Sequence, residues 1–387
     1  MFERAFIRTI QNIVLEKHLH IVCLDVPYPL DYGGVFDLFC KIQTLHELGV
    51  KIHLHCFEYG RGVQPELDKY CVNVTYYSRN KGHKGFSTEI PYIVSSRSSK
   101  KLLENLQKDD YPVLLEGIHC TYPLYCGALK GRKVIVRLHN VEYEYYRHLY
   151  SHEKSLFKKA YYFNESRMLK QYERELANQA TILAVSEKDV ETYKDEFMAE
   201  QVSYLPVFIP FQQVESREGM GTYCLYHGNL SVTENEKAAV WLLENVFDKL
   251  QLPFVIAGKN PSSRLQRATE LNALACLIEN PDHQEMNDLI AKAQINILPS
   301  FNDTGIKLKL LNALYNGRHC VVNEAAIHQT GLESTCHIGT SAEAIQDVIA
   351  QVYDDPFGSE EINLRENLLC THYSNRKNGQ QLIGLIW

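Results

Sequence analysis

The residues Asp303-Thr304-Gly305-Ile306-Lys307-Leu308-Lys309 form a short turn that runs into a helical pattern ending near Gly317. They follow Ile295-Asn296-Ile297-Leu298-Pro299-Ser300, which reads as a buried strand closing on a small polar residue. A turn at the carboxyl end of a strand that feeds a helix offers unpaired backbone N–H groups and the positive end of the helix dipole. With two lysines beside it, such a turn is suited to a diphosphate. Lys307 and Lys309 lie about 200° apart around a helix, so only one faces the turn. Lys307 is the expected phosphate contact, with Lys309 covering a neighbouring surface. Asn312 lies two turns beyond Thr304 on the same face, where its amide could hydrogen-bond a ribose or sugar hydroxyl. A plain surface helix with solvated lysines fits these residues equally well, so other segments have to decide.

Further strand ends carry comparable chemistry. Gly33 and Gly34 follow Val26-Pro27-Tyr28-Pro29-Leu30 and open an amphipathic helix, letting backbone approach a bulky ligand. Arg137-Leu138-His139-Asn140-Val141-Glu142 leaves the fifth strand, and His139 is the best histidine for a catalytic site. His119 has a similar but weaker position, whereas His53 and His55 alternate within a strand and read as structural. The Tyr226-His227-Gly228-Asn229 turn, with Ser231 or Thr233 available as a helix cap, and the Ala257-Gly258-Lys259 turn complete three glycine turns in one domain, which point to a nucleotide site. No His-x-x-x-His, no Asp-x-Asp at a strand end, no Gly-x-Ser-x-Gly and no phosphate loop of the Gly-x-x-x-x-Gly-Lys type occurs, so no metal is expected.

Two domains must position these residues. Continuous apolar runs recur at 20–24, 50–54, 72–77, 113–115, 134–136 and 181–185, then at 223–226, 254–257, 275–278, 295–298 and 320–322, each separated by room for a helix. That is the spacing of two doubly wound α/β halves with parallel sheets. Residues 18–206 form the first domain, 207–221 the linker and 222–387 the second, whose last helix has the option of crossing back to the first. Residues 1–17 read as an amphipathic helix that packs on protein or, as a second role, lies on a membrane surface. The net charge of −7, with 40 dispersed Lys and Arg, gives no nucleic-acid face. Eleven cysteines without a CxxC pair favour reduced thiols and a cytoplasmic protein, and no apolar run reaches the ~20 residues of a membrane span.

Taken together, the Pro-x-Pro and Gly33-Gly34 opening, His139-Asn140 with Val141-Glu142, Val185-Ser186-Glu187, the His227-Gly228-Asn229 and Ala257-Gly258 turns, and Gly305-Ile306-Lys307 leading to Asn312 and Gly317 resemble the two-domain glycosyltransferases of the GT-B fold, within them the retaining family 4. The resemblance implies two Rossmann-like domains facing a central cleft. It implies a UDP- or GDP-sugar as donor substrate, no other cofactor, and a saccharide or lipid-linked acceptor at the first domain, with peripheral membrane association at the inner face as one location. The nucleotide base would lie near Asn280 to Met286, the ribose near Asn312, and the diphosphate against Thr304, Gly305, Ile306, Lys307, Gly33 and Gly34. His139 would sit beside the transferred sugar. Two family glutamates, eight residues apart, correspond here to Thr304 and Asn312, with Asp303 placed to substitute for the first. The family's Arg and Lys after the first strand of the second domain have no counterpart in Ser231–Asn235. An epimerase of the same build is the alternative enzyme, although the recognised motifs are poor in carboxylates. A catalytically silent glycan-binding or partner subunit is the alternative outside enzymes.

Overall fold

The computed structural model describes residues 16–30, 33–58, 60–301, 307–328 and 330–387. The chain divides into two compact units. One comprises the residues up to Phe208 together with Asn375–Trp387, and the other is Ile209–Ser374.

The first unit contains β1 (His18–Cys23), α1 (Gly33–Glu47), β2 (Lys51–Glu58), β3 (Asn73–Ser78), α2 (Lys100–Leu106), β4 (Val113–Glu116), β5 (Val134–Arg137), α3 (Glu142–His152), α4 (Leu156–Leu176), β6 (Thr181–Ala184), α5 (Glu187–Phe197) and β7 (Val202–Tyr204). Its seven strands are parallel in the order β3-β2-β1-β4-β5-β6-β7. The strands are apolar on both sides because both faces are covered. Leu19, Ile21, Leu114, Ile135 and Leu183 enter one core, while Val22, Leu115, Val136 and Ile182 enter the other. Helices on both faces of a parallel sheet require this pattern.

The C-terminal helix (Asn375–Ile386) closes one of these cores with Leu382 and Ile386. Gly379 lets it lie against α1, since a Cβ there would come within 2.7 Å of Leu48 and 2.8 Å of Thr44. Gln381 Nε2 donates to the Tyr204 carbonyl at 3.0 Å.

Histidines within β1 and β2 form a buried ladder. Asp109 accepts from His20 Nε2–H (2.9 Å), so His20 Nδ1 accepts from His55 Nε2–H (2.9 Å) and His55 Nδ1 accepts from the Tyr77 hydroxyl (2.8 Å). Burial holds the His55 imidazole neutral, with its pKa lowered to about 3. His53 bonds to His18 and Asn73 beside it.

The second unit contains β8 (Cys224–Asn229), α6 (Thr233–Asn245), β9 (Phe254–Lys259), α7 (Ser263–Glu270), β10 (Ala275–Glu279), α8 (His283–Lys292), β11 (Ile295–Ile297), α9 (Leu308–Asn316), β12 (His319–Val322), β13 (His337–Ile338), α10 (Ala342–Val352) and α11 (Ser359–His372). Its six parallel strands run β10-β9-β8-β11-β12-β13, so each unit reverses strand order beside its first strand. Of the stretch 207–221 read from sequence as a linker, residues 209–221 are fastened to this unit. Gly219 and Phe357 exchange backbone bonds at 2.9 and 3.0 Å, and Ser216 Oγ donates to the Gly317 carbonyl at 2.7 Å. The β7 and β13 strands, three and two residues long, carry too short an apolar run to be read in advance.

Candidate active site

In an open α/β sheet the crevice for a ligand lies at the carboxyl ends of the strands where their order reverses. In the first unit that place is between β1 and β4. Glu116 is the last residue of β4, Arg137 the last of β5, and His139 follows two residues later. Across from them α1 presents Asp37 and Lys41, one turn apart.

Lys41 Nζ donates to Asp37 Oδ2 at 2.9 Å and to Glu116 Oε1 at 2.7 Å. His139 Nε2 lies 3.2 Å from Glu116 Oε2, and His139 Nδ1 lies 3.9 Å from Asp37 Oδ2. Arg137 reaches Asp37 at 3.6 Å and donates to the carbonyls of Ala184, Leu205 and Pro206. The Phe208 N–H also donates to Asp37, at 2.7 Å. Burial opposes ionisation of Asp37 and Glu116, yet Lys41 and the neighbouring cations outweigh it, holding both carboxyls below their ordinary values. The two carboxylates and the imidazole converge closely enough to ligate a metal. The Lys41 ammonium already bridges both carboxylates, so a metal ion would have to displace it.

The expectation of a site poor in carboxylates therefore needs correction. Asp37 and Glu116 flank His139, and sequence motifs missed them because they come from α1 and β4. A signal was present. Asp37 and Lys41 lie among the buried Val35, Leu38, Phe39, Cys40, Ile42 and Leu45 of this amphipathic helix, where two charged side chains had to be paired.

His119 stands near His139. Gly117, with φ of +79°, brings the chain so close that a Cβ would lie 3.2 Å from His119 Nδ1 and 3.8 Å from His139 Cδ2. Burial, followed by the charges of Arg97 and His139, keeps the His119 imidazole neutral. Its Nδ1 has no hydrogen-bond partner among the described residues and lies 3.9 Å from Glu142. Glu142 opens α3, immediately after Asn140 and Val141. Burial and the nearby Glu173 push the Glu142 carboxyl up to about 8. Glu173 caps α3 by accepting from the backbone N–H groups of Glu142 and Tyr143 at 3.0 Å each. Gly33 and Gly34 form the first turn of α1, the helix that supplies Asp37 and Lys41.

In the second unit the strand order reverses between β8 and β11. Gly228 and Gly258 are register partners on β8 and β9, and a Cβ on Gly258 would meet the Gly228 carbonyl oxygen at 1.9 Å. These residues extend the strands where turns were expected. Asn229 Oδ1 accepts from Ser231 N–H (3.1 Å) and Oγ–H (2.7 Å), and its carbonyl accepts from Asn235 Nδ2 at 3.0 Å. The helix cap expected of Ser231 or Thr233 is therefore absent. Val232 takes the N-cap position of α6 and makes no side-chain cap.

Lys309 is the main departure from expectation. It points inward from α9, where Nζ donates to the Tyr226 hydroxyl at 3.1 Å and to Asn235 Oδ1 at 3.0 Å. Both oxygens are neutral. Burial, helped by the charge of Lys307, lowers the Lys309 ammonium to about 8. The adjacent His227 is buried, its Nε2 has no hydrogen-bond partner among the described residues, and its pKa falls to about 3 through burial and then Lys309. A cation missing from Ser231–Asn235 is thus delivered to the same spot by another helix.

Lys307 is the N-cap residue of α9, which starts at Leu308. Asn312 accepts from Asn316 Nδ2 at 2.7 Å through its side-chain oxygen. Asp303, Thr304, Gly305 and Ile306 lie outside the described residues. Buried Arg365 fixes the other end of α9, its Nη1 donating to the carbonyls of Leu314 (3.2 Å) and Gly317 (2.6 Å), which the helix leaves unpaired. Asn280, in the expected base region, has φ of +51°, donates to the Gly258 carbonyl at 2.8 Å and accepts from the Asn260 N–H at 2.8 Å.

Residues 221–355, within the second unit, match the model of the family described as glycosyl transferases group 1. The second unit is a group 1 glycosyltransferase domain, and the chain is a glycosyltransferase of the GT-B fold. Solved structures agree along the whole chain. The glycosyltransferase superposes on TarM with a TM-score of 0.70 at 11% identity, covering 97% of this chain and 99% of that one. A glycosyltransferase from Rickettsia africae gives 0.67 at 12% identity over 96% and 98% of the two chains. Anabaena HepE, in complex with UDP and glucose, gives 0.66 at 10% identity over 95% and 98%. A sequence relative, an uncharacterised 44.6 kDa protein in the cps region of Klebsiella pneumoniae, is 29% identical over 330 residues, or 80% of this glycosyltransferase and 84% of the relative.

Proposed function

We propose that this glycosyltransferase moves a hexose from a UDP- or GDP-sugar to a saccharide or lipid-linked acceptor, with retention of anomeric configuration and without a metal, in the cytoplasmic assembly of a cell-surface polysaccharide. The observation that carries the reading is Lys309. A half-buried ammonium whose hydrogen-bond acceptors are both neutral, at the strand-order reversal of the second sheet, keeps a lowered pKa even with Glu234 nearby and is short of negative charge. A donor diphosphate supplies that charge. The N-terminus of α9 adds a helix dipole of the right sign, with Lys307 at its cap.

His139 is the group offered to the transferred sugar, in an orientation fixed by Glu116. In a retaining transfer the leaving phosphate draws the acceptor proton, so the first unit needs no free base. Asp37 and Glu116 are poor bases, because Lys41 stabilises both as anions. This also argues against an epimerase. HepE, in complex with UDP and glucose, and a TarM variant, in complex with UDP, support a uridine donor, and the cps region of the Klebsiella relative supports a polysaccharide product.

The test is a panel of UDP- and GDP-sugars, each assayed by calorimetry and by isotope transfer to saccharide and polyprenyl-linked acceptors. Binding of at least one donor with transfer of its sugar is expected. Absence of binding by every nucleotide sugar would refute the proposal, and binding without transfer to any acceptor would favour a silent subunit.

A further inference from the structure

The hairpin of α3 and α4 ends in an exposed tip that the donor chemistry does not use. Leu156 and Phe157, the first two residues of α4, are 81% and 92% exposed, and Phe163, two turns on, is 51% exposed. Folded chains leave isolated apolar residues in water, but seldom two adjacent large ones projecting from a helix start. The tip is held in shape. Tyr146 on α3 packs against Tyr162 on α4 at 6.0 Å between ring centroids, Tyr150 against Phe163 at 5.5 Å, and Lys159 Nζ lies 5.0 Å from the Tyr150 ring.

Charge separates this tip from the rest of the molecule. Between residues 147 and 170 there are six Arg or Lys against two Glu, in a chain whose net charge is −7. Glu153 offsets one of the lysines at the tip, and Glu165 offsets none. Glu153 accepts from the backbone N–H groups of Lys154 and Ser155 at 2.8 Å each, and Glu165 is buried with its carboxyl pushed up. Lys154, Lys158 and Lys159 thus flank Leu156 and Phe157 along the chain.

We propose that this elbow inserts into the surface of an anionic lipid bilayer. Apolar side chains at the apex, flanked by lysines and backed by tyrosines, match the acyl boundary, the anionic headgroups and the interfacial layer in turn. Size excludes the competing occupant. Leu156 and Phe157 together offer roughly 300 Å² of apolar surface, against the about 800 Å² per partner of a stable protein interface. The elbow is connected to the candidate site within the same unit. Helix α3 begins three residues after His139 and, with 11 residues, spans about 16 Å before reaching the tip. A surface docked there would present a lipid-linked acceptor near the site, a detail that rests on the proposed acceptor class. The docking itself does not.

The test uses the full chain and vesicles with no donor present, so its outcome is separate from that of the transfer assays. Flotation with vesicles of phosphatidylcholine containing phosphatidylglycerol should carry the protein, and pure phosphatidylcholine should carry about tenfold less. The L156S/F157S variant should lower partition at least about tenfold with an unchanged melting curve, since these side chains are outside the core. The K154Q/K158Q/K159Q variant should abolish the preference for anionic lipid. Failure of the wild type to float with anionic vesicles would overturn the proposal. So would wild-type partition by both variants, or a wild-type dimer in light scattering that L156S/F157S converts to monomer.

Discussion

Substituting Lys309 by methionine separates a ligand-binding role from a structural one, because the two predict opposite signs for stability. The side chain is half-buried, and its pKa falls from 10.5 to about 8. Keeping that ammonium charged inside the fold therefore costs roughly 3 kcal/mol relative to water. Methionine fills similar volume without the charge. It forfeits hydrogen bonds to Tyr226 and Asn235 Oδ1, each worth about 1 kcal/mol net, while the Tyr226 hydroxyl keeps its bond to the Asn235 main-chain carbonyl. The expected result is a melting temperature equal to or above that of the wild type. Donor affinity should move the other way. A charge-assisted contact to phosphate is worth about 1.5–3 kcal/mol, so calorimetry with UDP or GDP should show Kd rising roughly tenfold to more than a hundredfold. The pH dependence supplies a second check. As pH rises through 8 the free-enzyme ammonium is lost, so kcat/KM for donor should fall above pH 8 in the wild type and stay level in K309R, whose guanidinium remains charged. Unchanged nucleotide affinity in K309M, or a joint loss of affinity and stability, would refute the assignment.

Other substitutions test the first unit and the paired strands. K41M removes the cation shared by Asp37 and Glu116, and should lower stability by about 3–5 kcal/mol in urea titration, with recovery when Asp37→Asn and Glu116→Gln are added. Because the Glu142 carboxyl sits at about 8 in the fold against 4.5 unfolded, its stabilising effect is complete below pH 4.5 and is lost as pH rises through 8. E142Q should therefore exceed the wild type by roughly 1–3 kcal/mol at pH 8.5 and by little at pH 5, measured by paired denaturation curves. G258A should destabilise the second unit by several kcal/mol in thermal melts, since its Cβ would lie 1.9 Å from a carbonyl oxygen that belongs to the sheet.

Strands were legible because parallel sheets buried on both faces leave unbroken apolar runs. Val134–Arg137 and Phe254–Lys259 needed little else. Their ends were less legible. Gly228 and Gly258 signal turns by composition, yet they continue the ladder because two opposed glycines let the strands approach. The histidines of β2 could be taken as structural from alternation alone, but the Asp109-to-Tyr77 relay that fixes their tautomers depends on tertiary contacts.

The candidate site was readable only in part. Strand-end position marked His139, whereas Glu116 and Lys41 meet across 75 residues of sequence and belong to no local motif. Helical geometry set Lys307 and Lys309 about 200° apart by placing both in the helix, whereas Lys307 is the extended N-cap residue just before it. It could not say which direction led inward. The acceptors offered by Tyr226 and Asn235 are what hold the second lysine inward.

The packing of Asn375–Ile386 against α1 has a consequence for biosynthesis. On a ribosome, the N-terminal lobe would have to wait, its apolar face beside α1 uncovered, until Asn375–Ile386 has been made, while the inserted lobe could already be complete. A premature stop codon after position 374 would therefore injure the lobe made first, and a grafting experiment that exchanges the inserted lobe has two natural splice points, at 208 and 375, rather than one.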